Sequence, residues 1–247
     1  MKSNVINILG IDFFNGHVKE VVENLKKGGL LVVPSGPGLA SISSDITYYR
    51  SLKAADVVIA DSGYMALIWN TTHSKKVNRI SGLEFLNTFF SDEEIRKDSD
   101  ILLVNPREIE AALNLSYLNG NGFSVSKENS YIAPIYGKEN IEDEALMKLL
   151  EEKKPRYVII NLGGGVQEIL GAYLKNNLSY KPAIICTGAA IAFLTGEQAH
   201  IPYWADKLFL GWLMRCIEKP KQFVPRYINA LKLVTIMLQY NPKTQIN

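Results

Sequence analysis

Asp61 is the residue of this chain best placed to move a proton. It follows the short apolar run 57–60 and precedes Ser62-Gly63. A strand ending on a carboxylate delivers that group to the edge of a sheet, where it can act as a base or bind a sugar hydroxyl. The same position suits a helix N-cap, for which aspartate is also favoured. Three further stretches have the make-up of ligand loops. Pro34-Ser35-Gly36-Pro37-Gly38 follows residues 30–33. Such a loop offers backbone N–H groups, at Ser35 and Gly36, beside a helix start, although its prolines remove donors and a plain βα turn fits as well. Arg79-Ile80-Ser81-Gly82 sets a guanidinium just before a helix. Its planar fork matches a diphosphate, and a solvated surface arginine is the alternative. Gly163-Gly164-Gly165-Val166-Gln167-Glu168 lets a ligand approach Gly163 and Gly164 closely, with Gln167 and Glu168 opening a helix. Glu168 stands where a dinucleotide fingerprint needs its third glycine, so a close helix–strand crossing competes with a ligand loop. His17, His73 and His200 are scattered, and Cys186 and Cys216 lack ligand spacing. No metal and no cofactor are expected, and the two cysteines read as buried thiols.

These residues need elements to hold them. Apolar runs of strand length alternate with helical spacing along the chain. Strands are expected at 5–11, 30–33, 57–60, 101–104, 131–134, 157–162 and 183–186. Helices are expected at 17–27, 39–53, 64–70, 82–90, 107–115, 142–153, 167–175 and from Gly188 to Leu194. That alternation predicts an α/β, Rossmann-like fold, a mostly parallel sheet covered by helices on both faces. Ligands then bind outside the carboxyl ends of the strands, where all four features fall.

The pattern changes after Gly196. The expectation is an α/β body over 1–196 and a helical appendage over 197–247, divided at Pro220 and Pro225. Between Lys207 and Lys243 stand seven basic residues and one acid, Glu218, giving +6 there and −4 elsewhere in a chain of net charge +2. Aromatic residues alternate with these cations, which suits a membrane interface. A C-terminal core helix and a nucleic-acid patch are the competing readings, and the aliphatic run 227–239 argues against nucleic acid. No signal peptide and no transmembrane span are expected from the apolar runs.

The end of the chain resembles a known family. Gly188-Ala189-Ala190-Ile191-Ala192-Phe193-Leu194-Thr195-Gly196, Ile201-Pro202, Leu210-Gly211-Trp212-Leu213, Arg215, Glu218-Lys219-Pro220 and Arg226-Tyr227 look like the last part of the WecG/TagA/CpsF glycosyltransferases. Asp61, Arg79-x-x-Gly82 and Gln167-Glu168 agree with it. The resemblance implies inverting, metal-independent transfer of an N-acetylmannosamine-like sugar from a UDP-sugar donor to a lipid-diphosphate-linked sugar acceptor. It implies a cytoplasmic enzyme, peripheral on the inner membrane surface, with a tendency to self-associate and no nucleic-acid partner. By the same matching, Asp61 is the general base, Arg79 and Gln167 touch the donor, and Arg215 and Arg226 meet donor diphosphate or lipid phosphate. The family's usual threonine and asparagine are replaced by Pro34-Ser35-Gly36. A Gly-Gly pair is replaced by Asn105-Pro106, an aspartate by Ala192, and an arginine by His200. These departures lie mostly in the donor region and motivate an alternative, a member that binds donor, lipid-linked intermediate or partner transferase without turnover.

Overall fold

The computed structural model describes residues 4–137, 141–188, 190–197 and 211–240. The elements run β1 (Val5–Ile8), β2 (Ile11–Phe14), α1 (Val18–Leu25), β3 (Gly29–Val32), α2 (Gly36–Leu39), α3 (Ile46–Ala54), β4 (Val57–Val58), α4 (Gly63–Thr72), α5 (Gly82–Ser91) and α6 (Glu93–Asp98). Then come β5 (Ile101–Asn105), α7 (Glu108–Gly120), β6 (Ser130–Ile132), α8 (Glu144–Lys153), β7 (Tyr157–Ile160), α9 (Val166–Asn177), β8 (Ala183–Cys186) and α10 (Ala190–Leu194). Three helices close the described chain: α11 (Gly211–Glu218), α12 (Pro220–Ala230) and α13 (Lys232–Gln239).

One sheet holds every strand among the described residues, in the order β1-β2-β4-β3-β8-β7-β5-β6. β1 pairs antiparallel with β2, and all other pairings are parallel. The central strands are apolar on both faces because helices cover both. Leu30, Val32, Val104, Val158, Ile160, Ile184 and Cys186 join one core with α2, α3, α4, α8 and α9. Leu31, Val33, Leu103, Ile159 and Ile185 join the other with α1, α5, α6, α7 and α10. The expected α/β architecture is therefore present, with a helical C-terminal segment.

Several local expectations are corrected. Residues 5–11 are not one strand. Leu9 (φ 56) and Gly10 (φ 78) take left-handed conformations, which a two-residue hairpin turn needs, and the chain doubles back. The expected helix over 39–53 is two, since Ser41 and Ser44 hydrogen-bond back onto Gly38 and Ser41 carbonyls and Asp45 caps α3 afresh. Pro220 opens α12, as expected, but Pro225 lies inside it without ending it. Its missing N–H leaves a carbonyl one turn back for exposed Lys221 to present to water. The aliphatic end packs on the body: Leu233 is fully buried and Met237 nearly so, against the core of α2 and α4. The start of the expected appendage, 198–210, lies outside the described residues.

Parallel connections leave the sheet in opposite directions at its centre. β3 leads to α2 and α3 on one face, while its neighbour β8 leads to α10 on the other. β7 beside it leads back to the first face through α9. Such switch points open crevices at the carboxyl edge.

Candidate active site

Asp61 stands at that edge, just beyond β4, and is half-buried. Its Oδ1 accepts from the Gly82 N–H at 3.0 Å, and its carbonyl accepts from Arg79 Nε at 2.8 Å. The carboxylate thus meets the start of α5, across the loop, while Ser62 caps α4 by accepting from Met65 N–H at 3.2 Å. The helix-cap alternative is corrected in part: Ser62 and Ser81 are the N-caps of α4 and α5, and Asp61 reaches across to the first N–H of α5 while remaining at the crevice. A Cβ on Gly82 would lie 3.3 Å from Ala190 Cβ and 3.4 Å from Val33 Cγ1, so a larger side chain there needs its neighbours to give a little. The start of α5 therefore packs close to the residues after β3 and to α10.

The loop after β3 is less of an anion cradle than its composition suggests. α2 is a single turn of four residues. Ser35 Oγ accepts from the Gly38 N–H at 3.3 Å, and the Ser35 carbonyl accepts from Leu39 N–H. Gly36 is buried, and a Cβ there would fall 2.8 Å from Ser62 Oγ. Gly36 therefore serves the approach of two loops.

The loop after β7 behaves differently. Gly163 and Gly164 are exposed, and a Cβ on either would meet nothing within 4 Å. Neither has a positive φ, whereas Gly165 does, at 91°. Gln167 and Glu168 lie beneath this loop, 2% and 1% exposed. Gln167 Oε1 accepts from the Gly188 N–H at 2.7 Å, and its Nε2 donates to Glu168 Oε1 at 3.1 Å. Glu168 Oε2 accepts from the Gly165 N–H at 2.7 Å. Sequence matching sets Gln167 and Glu168 against the substrate; in the structure both side chains are buried beneath the glycine loop. Burial pushes the Glu168 carboxyl up from 4.5 to about 7. The group is thus protonated more readily folded than unfolded. The stability it contributes is complete below pH 4.5 and is lost as pH rises through about 7, a change of about 3 kcal/mol. A cleft of about 230 Å³ opens beside it, lined by Gly38, Tyr48, Ile141, Gly164, Gly165 and Val166. That is below the ~300–1,000 Å³ of a pocket enclosing a whole ligand, and suits one group of a larger molecule.

Sequence reasoning missed a polar row along the same edge. Asn105, Asn161 and Thr187 each stand one residue past the paired Val104, Ile160 and Cys186. Asn161 and Asn114 both donate to Asn105 Oδ1, at 3.0 and 2.7 Å. Asn161 Oδ1 and Thr187 Oγ1 are buried with no hydrogen-bond partner among the described residues. Each follows an unbroken apolar strand, and that abrupt change was the available signal. The triplet Asp98-Ser99-Asp100, by contrast, lies at the amino end of β5. There Asp98 pairs with Arg156 at 2.9 Å and Asp100 accepts from the Arg156 N–H at 2.8 Å. Among the described residues, no group of three or more His, Cys, Asp or Glu side chains is arranged to hold a metal.

The C-terminal helices complete the edge. The Arg215 guanidinium stacks 4.8 Å from the Phe193 ring on α10 and 5.9 Å from the Phe223 ring. Arg226 lies 5.8 Å from the same Phe223 ring. Burial raises the Tyr227 phenol, the positive charge and hydrogen bond of Arg215 oppose this, and the negative charge of Asp61 adds to it. Tyr227 on α12 thus lies within electrostatic reach of both Arg215 on α11 and Asp61 beyond β4, although α12 and β4 are far apart in sequence.

The edge defines a class first: an α/β protein with a ligand crevice at a switch point of a parallel sheet. The model of the Glycosyl transferase WecG/TagA/CpsF family matches residues 6–246, and the chain belongs to that family. It is similar to N-acetylglucosaminyldiphosphoundecaprenol N-acetyl-beta-D-mannosaminyltransferase of Staphylococcus aureus strain MRSA252. The identity is 24% over 245 residues, covering 94% of this chain and 90% of the relative. The protein of the same name from strain MW2 is 23% identical over the same share.

Proposed function

We propose that this glycosyltransferase moves an N-acetylmannosamine-like sugar from a UDP donor to a lipid-diphosphate-linked N-acetylglucosamine, with inversion and without a metal. The relatives' names support the sugar and the lipid-linked acceptor. The observation that carries the reading is Asp61 at the carboxyl edge of the sheet, its carbonyl accepting from Arg79 Nε at 2.8 Å and its Oδ1 from the Gly82 N–H at 3.0 Å. The acceptor hydroxyl oxygen attacks the anomeric carbon and gives its proton to the Asp61 carboxylate. The bond from that carbon to the diphosphate oxygen breaks, and its electron pair leaves on UDP. Arg79, Arg215 and Arg226 offset the charge growing there. Ser35, Gly36, Gly163 and Gly164 border the donor. The work takes place at the inner membrane face, where the acceptor's lipid is anchored.

A panel of UDP-sugars assayed with lipid-diphosphate acceptors tests this, with transfer of an N-acetylhexosamine as the expected result. Donor binding without transfer to any acceptor favours the alternative, a binding member without turnover. That alternative has one observation behind it: the Ser35 hydroxyl is already engaged by Gly38.

Gly164 gives a sharper test of the donor's path. Because no protein atom would meet a Cβ there, Gly164→Ala should change stability by no more than ~0.5 kcal/mol. It should raise the donor KM about tenfold if the sugar-nucleotide lies against the loop, since one misplaced methyl costs ~1–3 kcal/mol. Unchanged kinetics would take the donor away from this loop.

A further inference from the structure

Two loops that face each other across the switch-point crevice are joined by one hydrogen-bond chain. The loop leaving β7 feeds α9 on one face, and the loop leaving β8 feeds α10 on the other. Between them run Gly165 N–H to Glu168 Oε2, Gln167 Nε2 to Glu168 Oε1, and Gly188 N–H to Gln167 Oε1. Cys186 Sγ holds the same turn by donating to the Gln167 carbonyl at 3.2 Å. Gly188 has φ 60°, and a Cβ on it would lie 3.2 Å from Gln167 Nε2, so glycine there admits the Gln167 amide.

We propose that Glu168 is a positioning residue that fixes the spacing of the β7 and β8 loops, and that it releases them when it takes up a proton. The consequence for turnover rests on the transferase reading above; the hydrogen-bond chain does not. Every neighbour bonded to the Glu168 carboxylate is a donor. A proton on either oxygen would add an O–H donor that finds no acceptor among these neighbours and weaken the link that oxygen accepts. Burial brings that event to about pH 7. The titratable groups of packed elements that feel the Glu168 charge are Tyr48 of α3 and Cys186 of β8. Burial pushes both well above their ordinary values, so both stay neutral across this range. Asp45 acts on Tyr48 from the start of α3.

The test is nuclear magnetic resonance of the backbone amides during a pH titration, with kcat measured in parallel. In the wild type, Gly165 and Gly188 should titrate with one shared midpoint near neutrality, and kcat should rise with pH through it. In Glu168→Gln both amides should become insensitive to pH. Its kcat should fall roughly 10²-fold and lose the acidic limb, the donor KM changing less. Gln167→Ala cuts the chain higher up: Gly165 should still titrate and Gly188 should not. This variant keeps the proposal testable if Glu168→Gln fails to fold. Separate midpoints for the two amides in the wild type overturn the proposal. So does a Glu168→Gln enzyme with the wild-type rate and profile. A wild type whose amides titrate together but which transfers no sugar sinks the transferase reading and leaves the chain of contacts standing.

Discussion

Asp61→Asn should lower kcat for sugar transfer by roughly 10²–10⁴-fold, the range of a lost general base. The variant should nonetheless fold. Its amide oxygen can still accept the Gly82 N–H that Asp61 Oδ1 accepts now at 3.0 Å. Only the carboxylate's favourable interaction with the start of α5 is lost, ~0.3–1 kcal/mol. Asp61→Ala removes the acceptor too and should cost about 1 kcal/mol more. Comparing the two by thermal unfolding and by steady-state transfer separates capping from catalysis. Asparagine with near-wild-type turnover would leave Asp61 a helix cap and nothing else.

The second large effect concerns the outer side of the C-terminal helices. Val224, Ile228 and Leu231 lie at helical spacing and point outward, Ile228 being 62% and Leu231 59% exposed. Ile217 and Leu238 extend this apolar surface onto α11 and α13, and exposed Lys219, Lys221, Arg226 and Lys232 flank it. No helix among the described residues is long and apolar enough to cross a membrane. A stripe of this kind suits the headgroup region, where its cations would meet lipid phosphates. Ile228→Glu/Leu231→Glu should cut binding to anionic vesicles at least tenfold, since each lost apolar burial is worth ~1.5–3 kcal/mol. Turnover on a water-soluble acceptor should persist. Leu233→Ala, on the buried side of α13, should instead lose ~2–5 kcal/mol of stability with little change in vesicle binding. Vesicle binding unchanged in the double variant would remove the stripe from membrane contact. Deleting all three helices would be a poorer test, because Phe223, Ala230, Leu233 and Met237 are buried.

The alternation of strand and helix was legible because runs such as Leu30–Val33 and Tyr157–Ile160 are apolar throughout and stop at Pro34 and Asn161. The hairpin was not, since Ile8-Leu9 continues the apolar run and a leucine at φ 56 breaks the usual preference for glycine. The loops of the candidate site could be picked out singly, each by its own residues. Their joint arrangement could not. Which loops face one another depends on β8 inserting between β3 and β7, a choice made by tertiary pairing. For the same reason the Asn161 and Thr187 row appears only once the register is known. Glu168 shows the limit most clearly: its type and position suggested a ligand contact, and only its burial shows that it bonds the loop from below.

The two cysteines carry a practical consequence. Cys186 is fully buried at the end of a central strand, and Cys216 is half-buried on α11; neither is in a disulfide. They are built-in reporters of opening in two parts of the chain. Under slow thiol labelling in native buffer, Cys216 should react through local detachment of the terminal helices. Cys186 should react only when the central sheet itself comes apart. A labelling rate at Cys216 well above that at Cys186 would mark the terminal helices as a separately opening unit, whereas equal rates would mean that they and the sheet melt as one.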